Sequence, residues 1–137
     1  MSLNTNQKKL LKEYSKLPAF DQQLLTVFSL LYFEIFQTNL LAILNNLAFS
    51  KFGHGNIRID VLKQHLEKLK GLSLIILEPG KGYRCNPEIV ELVTRESIKQ
   101  GYFNTVADMI LASARNNNFP TGKDFFSLVR IALYKKE

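Results

Sequence analysis

The chain has few of the residues from which catalytic, metal and disulfide sites are built. It contains one cysteine, two histidines and no tryptophan in 137 residues. The single cysteine, Cys85, cannot form an intrachain disulfide, which fits a reducing compartment. His54, His65 and Cys85 lack the number and spacing of a zinc site, and no Cys–His catalytic pair or paired carboxylates can be recognised. We therefore expect a non-enzymatic protein that needs no cofactor and binds no metal.

Leader sequences and long uninterrupted apolar runs are also missing. The most apolar stretch, residues 18–36, is broken by polar residues and falls short of the roughly 20 clean residues of a membrane span. No N-terminal segment has the pattern of a secretory signal. These absences predict a cytoplasmic protein with no membrane partner. The Met-Ser-Leu start and the abrupt Tyr134-Lys-Lys-Glu137 ending suggest a piece of a longer protein.

The composition is that of a globular domain with an unevenly placed positive charge. Hydrophobic residues make up 46% of the chain and charged residues 22%, so a single core is expected. Of the net charge of +6, residues 1–37 and 88–137 each contribute +1 and residues 38–87 contribute +4. A local basic excess is typical of a surface that faces phosphates, but it also occurs on ordinary solvated surfaces. The charge alone leaves both interpretations open.

Apolar periodicity predicts a mainly helical chain. Helices are predicted over residues 4–16, 18–36, 39–49, 60–70 and 86–100, from Asn104 or Thr105 onward, and over 124–135. The expected N-caps are Asn4 or Thr5, Thr38, Asp60 and Asn86. Residues 18–36 are apolar around almost the whole helix, which predicts a helix buried on nearly all sides.

The middle of the chain predicts a small β-hairpin after an amphipathic helix. In residues 60–70, Val61, Leu62, His65, Leu66 and Leu69 share one side, and the charged residues share the other. Leu72–Leu77 is β-prone, Pro79–Gly82 is a turn, and Tyr83–Cys85 is a returning strand. The two glycines within residues 50–56 predict a turn, and Ile57-Arg-Ile59 is expected to add an edge strand.

The run from Ile57 to Asn86, IRIDVLKQHLEKLKGLSLIILEPGKGYRCN, resembles the second half of many bacterial winged-helix domains. The matching features are the leucine-spaced helix, the Gly-Leu at its end and the glycine turn between two strands. The resemblance implies a mainly α fold with a winged helix-turn-helix core and a small β-wing, extended by N-terminal and C-terminal helices. Residues 1–100 would form the winged-helix domain, and residues 101–137 a helical extension packed on it. The continuation after Asn86 is similar to junctions in large multidomain ATPases, helicases and regulators, which implies an accessory domain.

The same resemblance implies a nucleic-acid interface, with duplex DNA as the expected partner. The helix would contribute Lys63, Gln64, Lys68 and Lys70, and the wing Lys81 and Arg84. Asp60 and Glu67 lie on the same face and oppose phosphate binding by charge repulsion. The alternative is a protein-interaction module that docks on its parent protein, or self-associates through aromatic residues near Phe119, Phe125, Phe126 and Tyr134.

Overall fold

The computed structural model describes residues 3–31, 33–45, 57–115 and 131–134. It contains α1 (Thr5–Ser15), α2 (Ala19–Leu31), α3 (Gln37–Leu44), α4 (Ile59–Gly71), β1 (Ile75–Glu78), β2 (Gly82–Cys85), α5 (Val90–Gln100) and α6 (Phe103–Arg115). Residues 131–134 are also helical. This part of the chain is thus mainly α with one small antiparallel sheet, as predicted. None of its helices has the length and apolar character needed to cross a bilayer.

Helix α2 lies at the centre of the hydrophobic core. Every residue from Asp21 to Leu31 is buried, which confirms the prediction of a helix covered on nearly all sides. Helices α5 and α6 pack against it, as does strand β2. Its buried hydroxyls are satisfied by the preceding turn, since Thr26 donates to the Gln22 carbonyl at 2.9 Å and Ser29 to the Thr26 carbonyl at 2.8 Å.

Helix α1 is fastened to the core at several points. Asn4 is its N-cap and forms a capping box with Gln7, as the sequence suggested. Leu10, Tyr14 and Leu17 are buried. The Gln7 side chain donates to the Glu88 carbonyl at 2.9 Å, and the buried Gln22 side chain donates to the Tyr14 carbonyl at 3.1 Å. The orientation of α1 is therefore fixed by packing and by polar contacts near both of its ends.

The hairpin β1–β2 follows α4 and is joined by a third backbone segment. Ile75 pairs with Cys85, Ile76 with Arg84, Leu77 with Tyr83 and Glu78 with Gly82. Ile35, between α2 and α3, exchanges two backbone hydrogen bonds of 2.9 Å with Tyr83. Because Ile35 is held against β2, the chain between α2 and α3 lies along the outer edge of the hairpin.

Two predicted segments differ from the structure around that edge. The helix predicted to reach Phe36 ends at Leu31, because the Ile35 backbone pairs with Tyr83 instead of continuing the helix. The strand predicted at Ile57-Arg-Ile59 does not form. Both backbone polar groups of Ile57 bond to the Asn45 side chain, at 2.8 Å and 3.2 Å, and Ile59 begins α4.

Three of the predicted helix starts are also wrong. Helix α3 begins at Gln37 rather than after Thr38, and α4 begins one residue before Asp60, with Arg58 as its N-cap. The Asn86 side chain accepts from the Glu88 N–H at 3.0 Å and caps a single turn, so α5 begins only at Val90.

The helix predicted from Asn104 or Thr105 begins at Phe103, and Gly101, with φ of 84°, ends α5 as predicted. The predicted turn at 50–56, the loop near residues 116–122 and most of the predicted helix 124–135 lie outside the described residues, as do Phe119, Phe125 and Phe126.

Gly82 is the glycine whose replacement we expect to cost most. Its φ is +105°, and a Cβ there would lie 2.4 Å from the Ile35 carbonyl oxygen. Gly80 also has a positive φ, +77°, but a Cβ there would meet nothing within 4 Å. We predict that Gly82→Ala lowers the free energy of unfolding by at least about 2 kcal/mol, and Gly80→Ala by about 1 kcal/mol. Urea unfolding measures both, and equal losses would contradict the close approach of Ile35.

Because of Tyr14, the free energy of unfolding depends on pH in the alkaline range. Burial raises its pKa from 10.0 to about 12, and Glu96 and Tyr102 add to the rise against an opposing hydrogen bond with Thr26. Since the folded pKa exceeds the unfolded one, the contribution is complete below about pH 10 and is lost as the pH rises towards 12. We predict that wild type loses about 2–3 kcal/mol more than Tyr14→Phe over that interval. Parallel pH dependences of unfolding for the two proteins would contradict this.

Candidate nucleic-acid interface

The predicted interface is centred on α4, which is half buried. Leu62, Leu66 and Leu69 have no exposed surface, which confirms the predicted inner side. The opposite side is exposed and carries Lys63, Gln64, Glu67, Lys68 and Lys70. An amphipathic helix of this kind presents its polar side to solvent or to a partner.

The Asp21 carboxylate in α2 binds two side chains of α4. Its Oδ1 lies 2.7 Å from His65 Nδ1, and its Oδ2 lies 2.9 Å from Lys68 Nζ. Asp21 is 1% exposed, so the charge is compensated from within the protein. Phe20 also contacts the His65 ring, with centroids 4.5 Å apart. His65 is thus packed against the core edge, and Lys68 positions α4 rather than being freely available to a phosphate.

Arg84 is the second predicted residue with an internal partner. It lies in β2, and its Nη1 is 3.7 Å from Glu78 Oε2 of β1. Both side chains are about one third exposed, at 31% and 34%. The pair is therefore weakly screened compared with a fully exposed one, and it removes one positive charge from the hairpin surface.

The other four predicted residues are Lys63, Gln64, Lys70 and Lys81, and all are exposed. None of the three lysines has a carboxylate within 4.0 Å among the described residues. Lys81 is at the tip of the hairpin, where its N–H donates to the Glu78 carbonyl at 2.9 Å. Within the described part of the chain, these lysines are thus exposed cations without an ion pair.

The free lysines are spread along α4 rather than gathered at one point. Gly82 lies against the backbone of Ile35 and Phe36, and the Gln37 side chain contacts the Ile59 carbonyl at 3.4 Å. These contacts connect the hairpin tip to the first turn of α4. Lys70 is in the last turn, about 16 Å further along the helix axis. Such a surface suits an extended partner better than a small molecule.

Sequence reasoning missed three exposed apolar residues, which lie just before α3, at the start of α4 and in β1. Phe36 is 49% exposed, Leu77 44% and Ile59 42%. The sequence predicts a helix at Phe36 and a strand at Ile59, and neither pattern indicates an exposed position. Arg58 was also missed, and it pairs at 3.2 Å with Asp60, which cancels its charge locally.

Three further features bear on other kinds of site: metal-ligating side chains, the single cysteine and Tyr134. Within the described ranges, no three His, Cys, Asp or Glu side chains are grouped as a metal site would require. Cys85 is buried in β2. Tyr134 is partly buried, contacts Phe103 and bonds to Glu91, so it belongs to the fold rather than to a free aromatic surface.

Comparison with known proteins gives no relative. No family model matches the chain, and no significant match is found among curated proteins or solved structures.

The Asp21 contacts predict a strong stability effect. Asp21→Asn keeps the shape of the side chain but removes the negative charge that faces His65 and Lys68. We predict a loss of about 2 kcal/mol in the free energy of unfolding, because hydrogen bonds to charged groups of this kind contribute about 1.5–3 kcal/mol. Asp60→Asn, which breaks the exposed pair with Arg58, is the matched control and is expected to cost less than about 0.5 kcal/mol. Similar losses in urea unfolding would contradict the buried role of Asp21.

Proposed function

We propose that this chain is a winged helix-turn-helix module that binds duplex DNA without catalysing a reaction. In this interpretation α3 and α4 form the helix-turn-helix and β1–β2 forms the wing. The observation that carries the proposal is the uncovered side of α4, where Lys63 and Lys70 are exposed on the helix and Lys81 at the tip of the adjoining hairpin. An exposed helix face next to a second contact element, here the hairpin, is typical of DNA-binding modules.

The expected contacts are with phosphates rather than base edges. Of the residues on this surface, Gln64 is suited to reading a base, and Glu67 repels the backbone. Burial and then the charge of Glu67 raise the pKa of Tyr83, which supports a position of Glu67 on the side of the hairpin. Three lysines that each neutralise one phosphate would give a salt slope of about −2.7 in log K against log salt concentration.

A larger parent protein fits this mode of binding. Three backbone contacts supply modest affinity, which is useful when another part of the same protein also holds the nucleic acid. The module would then be an N-terminal accessory domain of an ATPase, helicase or regulator.

A protein-docking module is the second candidate, and the exposed Phe36, Ile59 and Leu77 favour it. Large apolar side chains that a fold leaves about half exposed are common where two proteins meet. The partner would be another part of the parent protein. In that case no duplex or single strand would bind at low salt.

Charge reversal on the α4 surface tests the leading proposal. Lys63→Glu combined with Lys81→Glu removes two free cations and adds two repulsive charges. We predict that its affinity for a fluorescein-labelled duplex falls at least about tenfold at low salt and that the salt slope shrinks by about 2. Lys99→Glu, on α5, is the control, because Lys99 is 74% exposed and already faces Glu96. Unchanged binding by the double variant would reject this surface, and absence of binding by wild type would reject the function.

A further inference from the structure

The unpaired cations of the folded protein are distributed differently from the net charge along its sequence. In the basic segment 38–87, three cations have carboxylate partners, in the pairs Arg58–Asp60, Lys68–Asp21 and Arg84–Glu78. Helix α1 and its C-cap instead carry four exposed lysines with no carboxylate within 4.0 Å among the described residues: Lys8, Lys9, Lys12 and Lys16. The largest set of unpaired cations in the described structure is therefore on α1, outside the segment that the sequence marked as basic.

We infer that α1 is a second phosphate-binding surface, which holds the backbone of the same nucleic acid that α4 and the hairpin bind. This inference rests on the proposed function and extends its footprint. The row Lys8, Lys12 and Lys16 recurs every four residues, so the three side chains follow one stripe of the helix. The row spans about 12 Å, which matches three to four nucleotides at 3.4 Å per strand.

The lysines of the row also repel one another. Like charges four residues apart on a helix repel and destabilise it. Glu13, the acid within α1, makes no ion pair with these lysines. A polyanion laid along the stripe would remove the repulsion and would release its own counterions.

The helix backbone that carries these lysines is fixed before any partner binds. The capping box and the contact of Gln7 with Glu88 fix the first turn of α1. Tyr14 is buried and its carbonyl accepts from Gln22, which fixes the last turn. Little conformational entropy of the backbone would be lost on binding, so the charge row is preorganised.

Contacts made by α2 connect this surface to the α4 surface. Gln22 holds the last turn of α1, and its neighbour Asp21 holds Lys68 of α4. The Lys16 end of the row and the Lys68–Lys70 end of α4 are thus both anchored at the first turn of α2. The inferred path of the nucleic-acid backbone therefore passes from α4 to α1 near the first turn of α2.

The chemistry of α1 favours a nucleic acid over an anionic membrane. A helix that lies on a bilayer inserts an apolar side between the lipids. In α1, however, Leu10 and Tyr14 are buried in the core, as is Leu17 just after the helix, and Leu11 is partly covered. The exposed side of α1 is polar and cationic, which suits a row of phosphates that is contacted without insertion.

The test compares a charge-removing variant with a charge-keeping one. The first is Lys8→Gln, Lys12→Gln and Lys16→Gln together, and the second carries arginine at the same three positions. Glutamine and arginine are both good helix formers, and thermal unfolding checks that both variants fold. Binding to labelled duplexes is measured over a range of salt concentrations, and binding to phosphatidylcholine vesicles with and without phosphatidylserine is measured in parallel.

We expect the glutamine variant to lose at least about tenfold in duplex affinity and about 2–3 in salt slope, while the arginine variant retains both. If only Lys63→Glu with Lys81→Glu weakens binding, the inference about α1 is overturned and the proposed function stands. If wild type binds no nucleic acid, both are overturned. If the glutamine variant loses vesicle binding but binds duplex like wild type, α1 is a membrane surface and the inference is overturned.

Discussion

The burial of α2 from Asp21 to Leu31 is the constraint on which the rest of the structure depends. A helix without a solvent side must have every polar side chain satisfied by its neighbours, since an unpaired buried carboxylate or amide is costly. Asp21 and Gln22 meet this requirement from outside their own helix, through α4 and α1 respectively. The two polar residues therefore set where the flanking helices attach, while the apolar residues of α2 supply the core around which they pack.

This arrangement explains why a charge count along the chain is an incomplete guide to a binding surface. Residues 38–87 have the largest basic excess, but Lys68 is directed to Asp21, which belongs to residues 1–37. The exposed positive charge of residues 1–37 is larger than their net charge suggests, because the acidic Asp21 is buried against α4. Net charge by segment measures composition, whereas a partner meets only the charges that remain unpaired on the folded surface.

The hairpin depends on a contact of a different kind. Ile35 pairs with Tyr83 through the backbone, and Gly82 is needed because the Ile35 carbonyl approaches too closely for a side chain. That contact brings Phe36 and the start of α3 to the hairpin tip, next to the first turn of α4. The hairpin part of the proposed DNA surface, the exposed Phe36 and the end of α2 are consequently fixed by one short non-local pairing.

The sequence by itself determined the mainly helical class, the buried character of α2, the inner side of α4 and the position of the hairpin. Each follows from local information, namely apolar period, capping residues and glycine turns. The tertiary structure decided where α2 ends, that Ile57 bonds to Asn45 instead of a strand, and which lysines stay free. Those features depend on partners far away in the chain: Ile35 meets Tyr83, and Asp21 meets Lys68. Local propensity does not identify such partners, because backbone pairing and charge compensation are properties of the assembled fold.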